Sequence, residues 1–296
     1  MRGMARRLVD PGASAAVAPV APGTAATAEY WMAREGRAAA ARARRERLGH
    51  TGARLLVLAA VLGLWQALAS RYDVTLVPGP AQTYAGLRRG WPLIATAAVD
   101  TSLEIALGFA AGALIGLILG SLVGQSPLAE GILHPYLIAY QAVPKVGLAP
   151  MIVLLLGFGL WPKVVLAALA AAFPVLENTM VGVQRVDEDS ARLFAGLGAS
   201  PTQTYVKLRL ISALPSIMAG VRVAVVLATV SVVVTEFVAG RIGLGAVMML
   251  GYAQLDTPLV FAALVVLTAV GLAYYFAAVG LEALVLRWFN LSPSTR

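Results

Sequence analysis

The sequence predicts an all-α protein, a polytopic membrane helix bundle of about six transmembrane helices. Three observations predict it. Of the 296 residues 59% are hydrophobic and only 13% charged, with mean hydropathy +0.79, too little polar material to coat a soluble globule of this length. The apolar residues fall in several long runs separated by short polar breaks, which reads as many spans instead of one anchor. Arginines gather before the first run and around the fourth and fifth, as expected of cytoplasmic flanks.

Residues 1–52 hold Ala, Arg, Gly and Pro in stretches such as REGRAAAARARRERLGH. They read as a basic cytoplasmic tail, disordered or, from Trp31 to Arg47, helical on the membrane surface. No apolar run follows the first arginines, which argues against a secretory signal. An organelle transit peptide stays open, with Glu29, Glu35 and Glu46 counting against it. The membrane domain covers 53–285. Its first span runs from Ala53 to Ser70, and a turn at VPGP leads into an amphipathic helix from Ala81 to Trp91. The second span is Leu103 to Val123, the third Pro135 to Phe158, and the fourth Lys163 to Val183. The fifth is Ile217 to Ala239 and the sixth Leu259 to Leu281, each near the ~20 residues a bilayer requires. Residues 286–296 form a cytoplasmic C-terminal tail. Six spans put both termini on one side, and Arg42, Arg44, Arg45, Arg47, Arg54, Arg185, Arg192, Lys207, Arg209 and Arg222 make that side the cytoplasm. Arg71, Arg88, Arg89, Lys163 and Arg241 then face outward.

The net charge of +8 suggests lipid and not nucleic acid, because its arginines concentrate beside the first span. Without cysteine the chain has no disulfide or thiolate ligand, and His50 and His134 are the only imidazoles, so no metal site is expected.

Gly108, Gly112, Gly116, Gly120 and Gly124 recur every four residues through the second span. Each step turns a helix by about 400°, so the stripe winds slowly and allows another backbone to approach; helix packing is the expected use.

The polar loop between the fourth and fifth spans, residues 185–216, carries the most information. Asp187, Glu188 and Asp189 suit a helix N-terminus, Gly196 or Gly198 its end, and Ser200–Pro201 the start of a second short helix toward Leu210. Tyr205, Leu208 and Ile211 give that helix an apolar face, with Lys207 and Arg209 wet.

LGASPTQTYVKLRLISALPSIMAGVRVA resembles the loop signature of ABC importer permeases. QAVPKVGLAPMIVLLLGFG, FPVLENTMVGV and TEFVAGRIGLG are similar to segments of the nitrate, sulfonate and taurine branch of that family. The resemblance covers about residues 53–285. It implies the type I ABC importer permease fold and ATPase coupling through Ala191, Gly198, Ala199, Ser200, Pro201, Tyr205, Leu208 and Pro215. It also implies ABC ATPase subunits that use ATP and Mg, a periplasmic or extracellular substrate-binding protein, a second permease subunit (a homodimer), and residence in the bacterial inner membrane. Five positions depart from the pattern: Arg192, Leu193 and Phe194 stand where Glu-Ala-Ala is usual, Ile211 replaces the first of two prolines, and Glu104 occupies an Arg slot.

The chain has no Gly-Lys dipeptide and hence no phosphate-cradling Walker loop, so it is not expected to be its own ATPase by that route; the resemblance implies a separate ATPase. Neither His-Glu-x-x-His nor Gly-x-Ser-x-Gly occurs, which makes an intramembrane enzyme a remote alternative. An ion-coupled secondary transporter is the nearer rival, though no internal repeat supports it. Charges inside apolar spans are expensive and mark pathways by default, which singles out Lys145, Glu177 and Glu236. Lys145 could meet an anionic substrate, or pair with Glu177 or Glu236 to fix helix register.

Overall fold

The computed structural model describes residues 52, 53, 56–74 and 76–291. The expected N-terminal tail lies outside the described residues apart from residue 52. The chain divides into two units, residues 1–64 and 65–296. The described part of α1 is Leu56–Ala69; it falls within the first span expected from Ala53 to Ser70, of which residues 54 and 55 lie outside the described residues. The described residues are helical, with no strand among them.

α2 (Pro80–Gly124) is one helix of 45 residues, about 68 Å long at 1.5 Å per residue. It absorbs both the expected amphipathic helix and the expected second span. Pro92 lies within it, but residues 93–102 contain no glycine or further proline to stop the helix, so the two pieces join.

α3 (Pro127–Ala142) starts where the Ser126 side chain accepts the Ala129 N–H at 3.2 Å. A 3₁₀ turn at Lys145–Leu148 and α4 (Ala149–Leu156) follow. The two halves bend by 74°, because Pro144 and Pro150 cannot donate to a helical ladder. The third span is therefore broken. α5 (Leu160–Gln184) is next, then the short α6 (Glu188–Gly196). α7 (Pro201–Ala239) runs 39 residues and takes in a π turn at Tyr205–Arg209. The second short helix expected from Ser200 to Leu210 is thus not separate. With no breaker between Thr204 and Leu214 the chain stays helical, the wide turn absorbs the misfit, and the fifth span starts inside the loop. α8 (Leu244–Ala253) was not expected as an element, and α9 (Thr257–Trp288) carries the sixth span into the expected C-terminal tail.

Among the described residues α2, α5, α7 and α9 are long and apolar enough to cross a membrane, and the bent pair makes up to five spans. The remaining span of the six expected is α1, only part of which lies among the described residues. The core joins α2, α5 and α7 through Ile105, Ala167, Ala171, Val175, Ala224 and Val225. A second cluster, with Ile94, Leu244, Val247 and Ala262, seats α8 and α9 against α2.

The glycine stripe lies in the seam between α2 and α5. A methyl group added at Gly108 would strike Ala167 Cβ, and at Gly112, Gly116 and Gly120 it would strike the backbone oxygens of Ala168, Ala172 and Leu176. At Gly124 it would come 3.0 Å from Met180 Cα. The helices touch backbone to backbone, which only side chains this small permit.

Candidate functional site

The α6–α7 loop is assembled by local hydrogen bonds. Asp187 caps α6 by accepting the Ser190 N–H at 3.1 Å. α6 ends in a left-handed turn at Gly198, φ 74°, where the Gly198 N–H donates to Ala195 O and the Ala199 N–H to Phe194 O, both at 3.0 Å. This Schellman pattern satisfies the last carbonyls of the helix and favours glycine. Ser200 then opens α7 with a capping box: its hydroxyl accepts the Gln203 N–H at 3.3 Å, and Gln203 Oε1 accepts the Ser200 N–H at 2.9 Å. Pro201 occupies the first turn, where its missing N–H costs nothing.

The apolar face expected on Tyr205 and Leu208 is directed largely at the bundle. Tyr205 packs against the core cluster of α5 and α7, and Leu208 is half-buried. Exposed apolar surface lies instead on Leu193 and Leu197, 62% and 75% accessible, and on Val206. Ala191, Ala199, Pro201 and Tyr205 line a crevice of about 390 Å³ between α6 and α7. Pro215 lies inside α7, one turn after Ile211.

The far end of α7 closes on a buried polar cluster. Lys163 Nζ of α5 donates to Glu104 Oε1 of α2 at 2.5 Å and to Ile242 O at 2.8 Å. Thr101 of α2 donates to Glu236 Oε1 at 2.7 Å and accepts the Leu244 N–H at 2.8 Å. Glu236 Oε2 accepts the Gly245 N–H at 2.6 Å, at the start of α8. Thr101, Glu104, Lys163 and Glu236 are all 1% exposed or less. Gly243, φ 110°, leaves room for the Glu236 carboxylate, which a Cβ there would strike. The cluster fastens residues 242–245 to three long helices and withdraws Lys163 from the outward-facing group in which the sequence placed it. Its hydrogen bonds offset part of the cost of burying charge, while Glu104 Oε2 is buried without a partner among the described residues.

The three expected pathway residues do not meet. Lys145 is half-buried in the 3₁₀ turn, 4.7 Å above the Tyr140 ring, and among the described residues no carboxylate pairs with it. Tyr140 is itself held, donating to Leu169 O at 2.6 Å and stacking on Phe173. Glu177 is exposed on α5, and Glu236 belongs to the cluster. Register is fixed by Lys163 with Glu104 instead of by Lys145.

Lipid-length helices packed at backbone contact, one of them broken, with a capped two-helix loop at one end, define a class: membrane-spanning transport permeases. The chain belongs to the family of binding-protein-dependent transport system inner membrane components, whose pattern matches residues 112–287. It is 33% identical to the formylaminopyrimidine transport permease protein of Halalkalibacterium halodurans, over 62% of this chain and 74% of that one. It is 32% identical to the taurine transport system permease protein of Escherichia coli, over 61% and 65%. A chain of the methionine ABC transporter in an inward-facing conformation superposes with TM-score 0.58 at 18% identity, over 67% of this chain and 98% of that one. The fold is that of type I ABC importer permeases, and the chain is a multi-pass membrane subunit of an ABC importer. ATPase and substrate-binding protein partners follow from that family.

Proposed function

We propose that two copies of this chain frame the pathway of an ATP-driven importer in a bacterial inner membrane, passing a small anion such as nitrate, a sulfonate or taurine. The N-terminus and the Gly198 loop are cytoplasmic. ATP and Mg are used by the ATPase subunit, and the binding protein delivers substrate from the opposite side. The observation that carries the ATPase contact is α6, a short capped helix with Leu193 and Leu197 exposed beside the rigid start of α7. Exposed leucines on a wet loop fit a partner's groove, and a continuous helix transmits displacement that a loose loop would absorb. Lys145 supports the anion reading, since it is a half-buried cation in a broken span without a paired carboxylate among the described residues. Relatives bear the names of several different substrates, riboflavin, formylaminopyrimidine and betaines among them, so the choice of substrate is left to the binding protein.

The test replaces Leu193 and Leu197 by Asp. Folding should persist because both are exposed, while ATPase co-purification and binding-protein-stimulated ATP hydrolysis in reconstituted vesicles should be lost. Wild-type values for both would sink the docking assignment. Uptake in vesicles lacking the ATPase would instead indicate an ion-coupled transporter.

A further inference from the structure

Arg222 lies near the middle of α7, one of the basic residues that the sequence placed around the fifth span. One of its nitrogens, Nη1, meets Glu282 Oε2 of α9 at 2.7 Å; the Glu282 side chain is 8% exposed and that of Arg222 35%. A guanidinium carries five N–H donors. Among the described residues Arg222 has this single acceptor, so most of its donors face space that the chain leaves open. That space is a pair of crevices meeting at Arg222, of about 450 and 360 Å³. The smaller runs along α9 between Val279, Ala283 and Leu286 and ends at Arg287, an exposed residue in the last turn. Trp288 beside it is 79% exposed.

We propose that Arg222 and Arg287 form an oxyanion site in the crevice between α7 and α9, occupied by the phosphate of an anionic phospholipid. The charges favour it: two guanidiniums against the one Glu282 carboxylate leave a positive site. Glu282 holds Arg222 in place from the buried side and leaves its other donors for the forked, bidentate geometry that guanidinium makes with phosphate. Depth favours it as well. Glu282 precedes Trp288 by six residues, about 9 Å of helix, and an exposed tryptophan at a helix end sits at headgroup level. Basic pockets between membrane helices near that level are headgroup sites, and the apolar wall of α9 suits an acyl chain. The site is independent of the ATPase docking at α6.

The experiment measures, by native mass spectrometry, the phosphatidylglycerol and phosphatidylcholine retained by the full-length chain from a mixed micelle. Wild type should retain phosphatidylglycerol selectively. Arg287→Gln changes an exposed residue and should cut that preference about fivefold, the weight of one basic residue near a charged lipid surface. Arg222→Gln combined with Glu282→Gln removes both charges together, so no buried charge is orphaned, and should cut it further. Inorganic phosphate added in excess separates the sources: retention unchanged identifies the lipid headgroup, and displacement identifies a site open to free oxyanions. Equal retention of both lipids by wild type and both variants, with no phosphate binding, overturns the proposal.

Discussion

The two ends of α7 are built on opposite plans. At the Glu236 end, four segments meet on charges withdrawn from solvent, and the side chains that join α2 to α5 and α7 are 59 and 135 positions apart, with the Glu236–Gly245 bond the one local link. At the Ser200 end the loop is organised by its own neighbours through caps three residues apart, and its leucines remain uncovered. A buried network resists displacement because breaking any member strands a charge. A locally capped loop keeps its shape while its outer face stays available. The same chain thus holds a fixed end and an engageable end.

The largest expected effect breaks the fixed end. Lys163→Met strands Glu104 and should cost about 3–5 kcal/mol, seen as a lower melting temperature in detergent; adding Glu104→Leu should recover much of the loss. A single mutant as stable as wild type would show that the cluster is no clamp. Next in size, Gly116→Leu in the seam that joins both ends should cost at least about 1–3 kcal/mol through overpacking and reduce folded yield. Gly131→Leu, where no atom lies within 4 Å of a built Cβ, should leave the yield unchanged; equal yields would place the stripe in open space. The smallest effect sharpens the engageable end. Ser200→Ala should cost about 1 kcal/mol locally, detected as faster amide exchange at residues 202–204 with the melting temperature unmoved.

The engageable end was the legible one. Ser200 and Pro201 state their cap in two adjacent residues, as Asp187 to Asp189 state a helix start, and the glycine stripe states its spacing. The fixed end joins residues 59 and 135 positions apart, beyond any local pattern. Lys163, at the start of an apolar run, looked like an outward flank. The available signal was that Glu104 and Lys163 are opposite charges that both fall in or beside apolar runs. Helix length was misread for a different reason: α2 and α7 continue because nothing stops them, and a missing breaker leaves no mark. Tyr205 shows the limit of a single-helix projection, since an apolar face can turn toward its own bundle as readily as toward a partner.

The ion pair at Arg222 also has a mechanical meaning. α7 is a rod of about 58 Å, and the pair grips it 21 residues from Pro201 and 17 from Ala239, so the arms measure about 32 and 26 Å. Held there and clamped again at the Glu236 end, the rod has its longer arm on the Ser200 side, so what acts on the loop acts on about 32 Å of helix before the ion pair. That arm carries two interruptions of the ordinary helical ladder, the π turn at Tyr205–Arg209 and Pro215.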